Sequence, residues 1–261
     1  MLLVISPAKK LDFDSIAQTE KFTQPDFLTE AQELIDTLKP YSSEQLGKLM
    51  HLSDSLSELN YQRYHDWHTP FTAQNAKQAI STFKGDVYTG LNIESFNEEQ
   101  LDFAQDHLRI LSGLYGLMRP LDLMQPYRLE MGTRLENPKG KNLYEFWDTT
   151  ITDAINQQLK DSKSEVLINL ASNEYFKSVK PKLLSTPMIT PNFKELREDG
   201  SYKVIGLFAK RARGMMAAYI LKNKITDAEK IKDFNEAGYQ YNAELSTTKD
   251  WIFTRDKVPG K

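Results

Sequence analysis

The pattern of apolar and polar positions predicts buried strands separated by amphipathic helices. Leu2-Leu3-Val4-Ile5 is a continuous apolar run that stops at Ser6-Pro7, which is typical of a strand buried on both faces. Val166 to Ala171 is a second such run, and it leads into a polar turn at Ser172, which is a candidate helix cap. Shorter strands are predicted at Lys84 to Gly90, Tyr202 to Ala209, Gly238 to Tyr241 and Trp251 to Thr254.

Residues 25 to 83 predict consecutive helices that cover one side of a sheet. Pro25 suits a first helical position, and an apolar face follows from Phe27 to Leu38. Ser42-Ser43-Glu44-Gln45 has the capping-box pattern. Further helices are predicted around Leu56 to Tyr64, from a cap at Thr72 through Phe83, from a cap at Asn97 through Leu108, over Leu143 to Leu159, after Lys210-Arg211-Ala212-Arg213-Gly214, and over Ala228 to Phe234.

The stretch from Leu108 to Leu135 combines three Gly, two Pro and four Arg with many apolar residues. Gly and Pro disfavour a helix interior, so the pattern predicts a bent backbone, held by apolar anchors, that carries long cations. Such a surface suits an anion. The segment Ile110 to Leu117 has two interpretations: a hairpin around Gly113 and Gly116 whose N–H groups face a phosphate, or a buried strand that contains glycine.

The composition is that of an ordinary globular protein. The chain has 261 residues, 40% of them hydrophobic and 26% charged, which suffices for a substantial core. There is no Cys, which excludes disulfides, thiolate metal sites and iron–sulfur ligation. No apolar run approaches the 18 residues of a membrane span, and the first ten residues do not resemble a signal peptide, so a cytoplasmic location is expected.

Charge is segregated along the chain although the net charge is −3. Tyr175 to Lys194 holds four Lys and no acid, and Gly200 to Thr226 holds six cations and no acid. Segregation of this kind in a net-acidic protein predicts a local positive surface. The cluster Lys210, Arg211 and Arg213 is predicted at a helix start, where cations oppose the helix dipole, and a bound anion would compensate for this placement.

Metal and catalytic signatures are weak. His65-Asp66-Trp67-His68 has two His three residues apart, but no further ligand is implied, so an ordinary helix end is expected and no metal or cofactor is predicted. No known nucleotide-binding or hydrolase motif occurs. An enzyme remains an alternative, through polar residues at predicted strand ends and turns: Lys9, Arg128, Glu130, Asn169, Ser172 and Lys210.

Six motifs, in this order, resemble the bacterial YaaA peroxide stress protein family across essentially the whole chain. They are ISPAK, FKGDVYTGL, LSGLYGLMRPLDLMQPYRLEMG, INLASNEYFKSVKPK, KRARGMMAAYI and FNEAGY. The resemblance implies a single α+β (mixed α/β) domain over residues 1–261, with a central mixed sheet flanked by helices and a helix–hairpin–helix-like element. It further implies a cytoplasmic protein of hydrogen-peroxide defence that limits unincorporated iron and binds double-stranded DNA in a positive cleft. It implies no catalytic residues.

Two functions therefore remain open at the level of the sequence. The first is DNA binding through phosphate contacts, for which the predicted cleft residues are Lys9, Arg128, Lys177, Lys180, Lys210, Arg211 and Arg213. The second is an enzyme acting on a small anionic or nucleotide-like substrate in the same cleft, with Glu130 as an acid or base. A wide groove would favour DNA, and a closed polar pocket would favour the enzyme.

Overall fold

The protein is described here by a computed structural model, which covers residues 1–256; the frayed tail predicted at Val258 to Lys261 lies outside the described residues. The strands in chain order are β1 (Leu2–Ile5), β2 (Lys10–Leu11), β3 (Lys77–Gln78), β4 (Phe83–Lys84), β5 (Leu108–Ser112), β6 (Gly116–Met118), β7 (Leu123–Met124), β8 (Leu167–Asn169), β9 (Met188–Leu196), β10 (Tyr202–Lys203), β11 (Gln240–Tyr241) and β12 (Asp250–Arg255).

The α-helices over the same residues are α1 (Leu28–Leu38), α2 (Ser43–Met50), α3 (Asp54–Asp66), α4 (Ala79–Thr82), α5 (Asp86–Leu91), α6 (Glu98–His107), α7 (Leu143–Trp147), α8 (Thr150–Asp161), α9 (Asn173–Phe176) and α10 (Gly206–Lys222). Short 3-10 helices lie at Ile93–Ser95, Pro181–Leu183, Ala228–Asp233 and Glu236–Gly238. None of these helices is long and apolar enough to cross a bilayer.

The strands build one main sheet of eight strands in the order β11-β12-β9-β8-β1-β5-β6, with β10 paired to β9. Its five inner strands, from β12 to β5, run parallel, and β6, β10 and β11 are antiparallel. Two further pairs, β2 with β4 and β3 with β7, lie outside this sheet. The arrangement confirms the predicted fold class, a mixed sheet flanked by helices.

Strand β1 lies inside the parallel region, between β8 and β5. It pairs with β5 on one side, in the register Leu3 to Leu108, and with β8 on the other, in the register Leu3 to Ile168. All four of its residues are fully buried. A strand that is covered on both faces has no side in contact with solvent, which explains why apolar and polar residues do not alternate along β1.

The first half of the chain follows the predicted helices in part. The capping box of Ser42 with Gln45 is confirmed, as is the cap of Asn97 on α6. Pro25 lies before α1 instead of in it, and the fourth helix predicted from Thr72 is reduced to the single turn of α4. The strand predicted at residues 84–90 is wrong. Only Lys84 belongs to a strand, and α5 occupies the rest because Gly85 turns the chain.

The glycine-rich stretch forms a hairpin, with β5 and β6 paired through Ser112 and Gly116. Its tip residues Leu114 and Tyr115 are fully buried, and Tyr115 N–H bonds to the hydroxyl of Ser112 at 3.0 Å. A Cβ at Gly113 would lie 2.3 Å from the carbonyl oxygen of Leu129, so the glycine serves close packing. The hairpin tip therefore does not face a ligand, and the structure does not support a helix–hairpin–helix-like element.

The second half differs from the prediction mainly at helix boundaries. The helix predicted over Leu143 to Leu159 is split into α7 and α8 by Asp148, whose φ is 35°. The strand predicted at Tyr202 to Ala209 ends at Lys203, and α10 begins at Gly206. The partner helix predicted over Ala228 to Phe234 is a 3-10 helix. The two closing strands are confirmed as β11 and β12.

Helices α5 and α10 cross in direct backbone contact. A Cβ at Gly214 would lie 1.8 Å from the carbonyl oxygen of Val87, and one at Gly90 would lie 2.1 Å from the carbonyl oxygen of Arg211. Only glycine permits this approach, because such separations are far inside van der Waals contact. The crossing fixes the position of α10 relative to the loop between β4 and α5.

Replacing Gly214 by Ala should lower the free energy of unfolding by about 3 kcal/mol, because the methyl group forces the two helices apart. Gly206→Ala is the matched control. It lies on the same helix, and a Cβ there would meet nothing within 4 Å. We expect the control to change the stability by less than about 1 kcal/mol. Urea unfolding of both variants measures the difference, and equal effects would contradict the assigned crossing.

Candidate anion-binding cleft

A group of polar side chains lies at the carboxyl ends of β1 and β8. From β1 the chain continues to β5 on one side, whereas from β8 it continues to β9 on the other. This makes the boundary between β1 and β8 a topological switch point, the place where open α/β sheets bind ligands. A cavity of about 590 Å³ opens there, lined by residues 6–10 after β1 and by Leu170 and residues 172–175 after β8.

Hydrogen bonds between the two strand ends form the floor of this cavity. The hydroxyl of Ser6 accepts a bond from the N–H of Ser172 at 2.9 Å and donates to the Ser172 hydroxyl at 3.2 Å. The carbonyl oxygen of Ser6 accepts a bond from the hydroxyl of Tyr88 at 3.1 Å. Burial raises the pKa of the Tyr88 phenol well above its ordinary value, so the phenol remains a donor. The floor is thus a preorganised polar surface.

The opposite wall comes from the β4–α5 junction and from α10. Gly85 has φ 149° and ψ −177°, a backbone conformation essentially restricted to glycine, and it turns the chain so that residues 84–88 line the cavity. From α10, Lys210 and Arg213 line the same cavity. The crossing of α5 and α10 therefore sets the distance between this wall and the floor.

A second cavity of about 630 Å³ continues the cleft past Lys9 and Glu130, which line both cavities. The carboxylate of Glu130 forms ion pairs with Lys9 at 2.7 Å and with Arg128 at 3.2 Å. Arg128 is mostly buried, and its Nε has no hydrogen-bond partner. Arg134 lines the second cavity but not the first, and its side chain is exposed. The two cavities together form what we call the cleft, which carries more cations than acids.

Three cations of the first cavity, Lys10, Lys210 and Arg213, make no ion pair or side-chain hydrogen bond within residues 1–256. Lys84, in contrast, pairs with Glu94 at 3.1 Å. Lys10 and Lys210 are exposed, but Arg213 is largely covered by its surroundings. Burial lowers the pKa of the Arg213 guanidinium, and no carboxylate opposes this effect. Arginine remains charged at neutral pH even so, and Arg213 is therefore a largely covered cation for which the described residues supply no partner.

The remaining predicted cleft residues lie outside the two cavities. Arg211 is exposed on α10, one residue from the cavity wall. Lys177 lies over the ring of Tyr144, with Nζ 4.7 Å from its centroid, and Lys180 lies 3.8 Å from a carboxylate oxygen of Asp148. Of the seven predicted residues, the structure brings together Lys9, Arg128, Lys210 and Arg213.

The prediction that Lys210, Arg211 and Arg213 lie at a helix start is wrong. Helix α10 begins at Gly206, so Lys210 lies beyond the first turn and Arg213 lies further along, where the helix dipole no longer disfavours them. An anion at Arg213 is indicated instead by the burial of this side chain without a partner among the described residues.

Of the residues suggested for an enzyme, Ser172 lines the cavity. The side-chain oxygen of Asn169, in contrast, already accepts a hydrogen bond from the N–H of Ala171 at 3.0 Å.

The sequence interpretation missed the contributions of Ser6, Lys84, Tyr88 and Tyr175. Lys84 and Tyr88 were assigned to a strand, which would have separated them from the end of β1. The pair of glycines in Lys84 to Gly90 was the available signal, since Gly85 marks a sharp turn and Gly90 a close approach. Over residues 1–256, no group of three or more His, Asp or Glu side chains is placed to hold a metal ion.

The fold and the cleft define an α/β protein with a ligand cleft at a topological switch point. The profile of the family described as "Peroxide stress protein YaaA" matches residues 1–245, and the chain belongs to this family. The chain is also similar to proteins named "UPF0246 protein". That of Colwellia psychrerythraea is 57% identical over 255 residues, which cover 98% of this chain and 99% of the relative. That of Cellvibrio japonicus is 54% identical over 257 residues, with the same shares covered.

Replacing Ser6 by Ala should lower the free energy of unfolding by about 1–2 kcal/mol, because the N–H of Ser172 loses its acceptor in a buried position. Ser185→Ala is the control. Ser185 is exposed, and its hydroxyl makes no hydrogen bond among the described residues. Thermal unfolding of both variants measures the difference. A Ser6→Ala variant as stable as the control would mean that the two strand ends are not joined as described.

Proposed function

We propose that the protein serves the peroxide stress response by binding double-stranded DNA along the cleft, through contacts to phosphates. Membership of the YaaA family supports a role in the peroxide stress response. The cations of the cleft support DNA as the ligand. Following the same family, we propose that the protein also limits the level of unincorporated iron in the cell. The observation that carries the DNA proposal is the set of unpaired cations on α10 beside the cleft.

The acid-free segment from Gly200 to Thr226 contains six cations, and three of them contact a partner. Lys203 pairs with Asp199 at 3.0 Å, and Lys224 pairs with Glu99 at 2.7 Å. Lys222 lies over the ring of Phe96, with Nζ 5.3 Å from its centroid. Lys210, Arg211 and Arg213 have no such partner within residues 1–256. The cations without such a partner are therefore concentrated in the amino-terminal half of α10.

A DNA duplex is too wide to enter a cavity of about 590 Å³, so we assign the duplex contacts to the rim. Lys210 and Arg211 are exposed there, and Lys10, which pairs with Lys84 between β2 and β4, is exposed as well. Contacts of this kind bind the backbone and carry no base specificity. Binding should accordingly be similar for duplexes of different sequence and should weaken steeply with salt.

Arg211→Glu should weaken binding of a fluorescent duplex about tenfold or more and should reduce the slope of log affinity against log salt by at least about 1, because a phosphate contact is replaced by repulsion. Lys249→Glu is the matched control. Lys249 is exposed and lies just before the amino-terminal end of β12, whereas the cleft lies at the carboxyl ends of the parallel strands. A fluorescence titration at several salt concentrations measures both. Equal loss in the two variants would assign the effect to net charge alone.

Glu130→Gln should strengthen duplex binding by about threefold or more, because it releases Lys9 and Arg128 from their shared carboxylate. The same titration, with thermal unfolding to check the fold, measures this effect. Weaker binding by a folded Glu130→Gln variant would argue that Glu130 positions the two cations for DNA instead of neutralising them.

A second candidate function is binding or turnover of a small anionic or nucleotide-like ligand in the first cavity. One observation favours it. Arg213 lies inside the cavity wall and is too covered to act as a rim contact, yet it has no internal partner among the described residues. A cavity of this volume is of the size that holds small ligands.

A further inference from the structure

Arg213 is largely covered, and it differs from the buried arginines Arg109 and Arg255 in what surrounds it. Arg255 donates to Glu195 at 2.7 Å, and both side chains are 5% exposed. Arg109 is 3% exposed and donates to the carbonyl oxygens of Gln105 and Leu108 at 2.8 and 2.7 Å. Arg213 makes neither kind of bond within residues 1–256. A guanidinium covered by protein normally has such acceptors, because its desolvation is otherwise uncompensated.

The packing of α10 keeps the Arg213 side chain at the cavity. Its neighbours Ala212 and Gly214 are buried, and Gly214 is in backbone contact with Val87. The helix cannot rotate to carry Arg213 into solvent without breaking this contact. The guanidinium is therefore held by the fold at the cavity, where water or a ligand has to supply its acceptors, since the described residues supply none.

The side chains around the same cavity are suited to a compact, multiply charged anion. Lys210, one turn before Arg213, and Lys10 add two cations without ion pairs, and Ser6, Ser172 and Asn173 add polar groups at the floor. The acids that line the cavity are Asp86, Glu130 and Glu174. Glu130 is neutralised by Lys9 and Arg128, and Glu174 accepts a bond from the N–H of Gly132 at 3.1 Å.

We propose that the first cavity binds a phosphate monoester, with the guanidinium of Arg213 as the group that receives the phosphate and Lys210 as its neighbouring cation. A planar guanidinium matches two phosphate oxygens at once, and a monoester carries close to two negative charges at neutral pH. The apolar part of the lining, which includes Pro7, Val87 and Leu170, suits the remainder of a nucleotide. The monoester belongs either to a free nucleotide or to the end of a nucleic-acid strand.

This inference rests on the second candidate function, ligand binding in the cavity, and does not depend on duplex binding at the rim. The test is isothermal titration of the full chain with adenosine 5′-monophosphate, with adenosine as the uncharged control ligand. We expect the monophosphate to bind and adenosine to bind at least about tenfold more weakly, since the phosphate makes the charged contacts. Equal binding of the two ligands, with no preference for a 5′-phosphorylated duplex end either, would overturn the proposal.

Arg213→Met should weaken binding of the monophosphate about tenfold or more, whereas Arg211→Met, on the same helix but outside the cavity, should leave it unchanged. Met keeps the length and apolar bulk of the side chain. Because Arg213 has no partner among residues 1–256, its replacement should leave the thermal midpoint unchanged or raise it. The proposal would be overturned by unchanged monophosphate binding in Arg213→Met, or by a fall in its midpoint comparable to that of Arg255→Met.

Duplexes with a 5′-phosphate and with a 5′-hydroxyl distinguish the two sources of the monoester. Tighter binding of the phosphorylated duplex, lost in Arg213→Met, would assign the cavity to strand ends. Equal binding of the two duplexes, together with binding of adenosine 5′-monophosphate, would assign it to free nucleotides. If neither the monophosphate nor the end phosphate binds better than its control, the proposal is wrong, and duplex binding that is sensitive to Arg211→Glu would still stand.

Discussion

The backbone contact between α5 and α10 is the constraint on which the cleft depends. Gly90 and Gly214 bring the two helices closer than any side chain would permit. Helix α5 follows the turn at Gly85, which lies beside the end of β1, and α10 carries Lys210 and Arg213. The central sheet fixes the floor of the cavity through β1 and β8, but the spacing of its wall is fixed by this glycine contact. A change at either glycine would therefore move cations as well as reduce stability.

Charge is distributed so that the rim and the interior of the cleft have different roles. The exposed cations Lys210 and Arg211 retain their hydration, and exposed charges contribute little to stability whether paired or not. They can therefore contact a phosphate backbone with little change in the stability of the fold. Glu130 holds Lys9 and Arg128 in a neutralising pair of bonds between the two cavities. The acid thereby offsets one of these two positive charges.

Much of the fold was predictable from the sequence because apolar periodicity reports directly on burial. The run Leu2 to Ile5 and the run after Val166 gave the two central strands, and Ser42 and Asn97 gave helix starts through local hydrogen bonds. The prediction failed where tertiary contacts decide the local structure. Lys84 to Gly90 has strand-forming residues, but Gly85 turns the chain and Gly90 must meet α10. The start of α10 was misplaced because Val204 and Leu207 read as strand residues, although both are exposed.

The candidate site was predictable only to the extent that charge segregation is visible in the sequence. Lys9, Arg128, Lys210 and Arg213 stood out as cations in acid-poor or glycine-rich segments, and they converge. The sequence could not show which cations are paired, because partners such as Glu99 for Lys224 are distant along the chain. It also could not show that Arg213 is covered while Arg211 is exposed. That difference depends on the rotation of α10, which the two glycines determine.

The uncompensated burial of Arg213 bears on how stability and binding are related in this protein. Burial lowers the pKa of Arg109 to about 10, but carbonyl oxygens and an amide accept its N–H groups, so most of its hydrogen bonds are retained. Arg213 lacks such acceptors in the described residues, and the folded state is less stable for it. A ligand that supplies phosphate oxygens would recover this free energy on binding instead of on folding. The same cation thus lowers the stability of the fold and favours the binding of a ligand, which is the arrangement expected of a binding residue and not of a structural one.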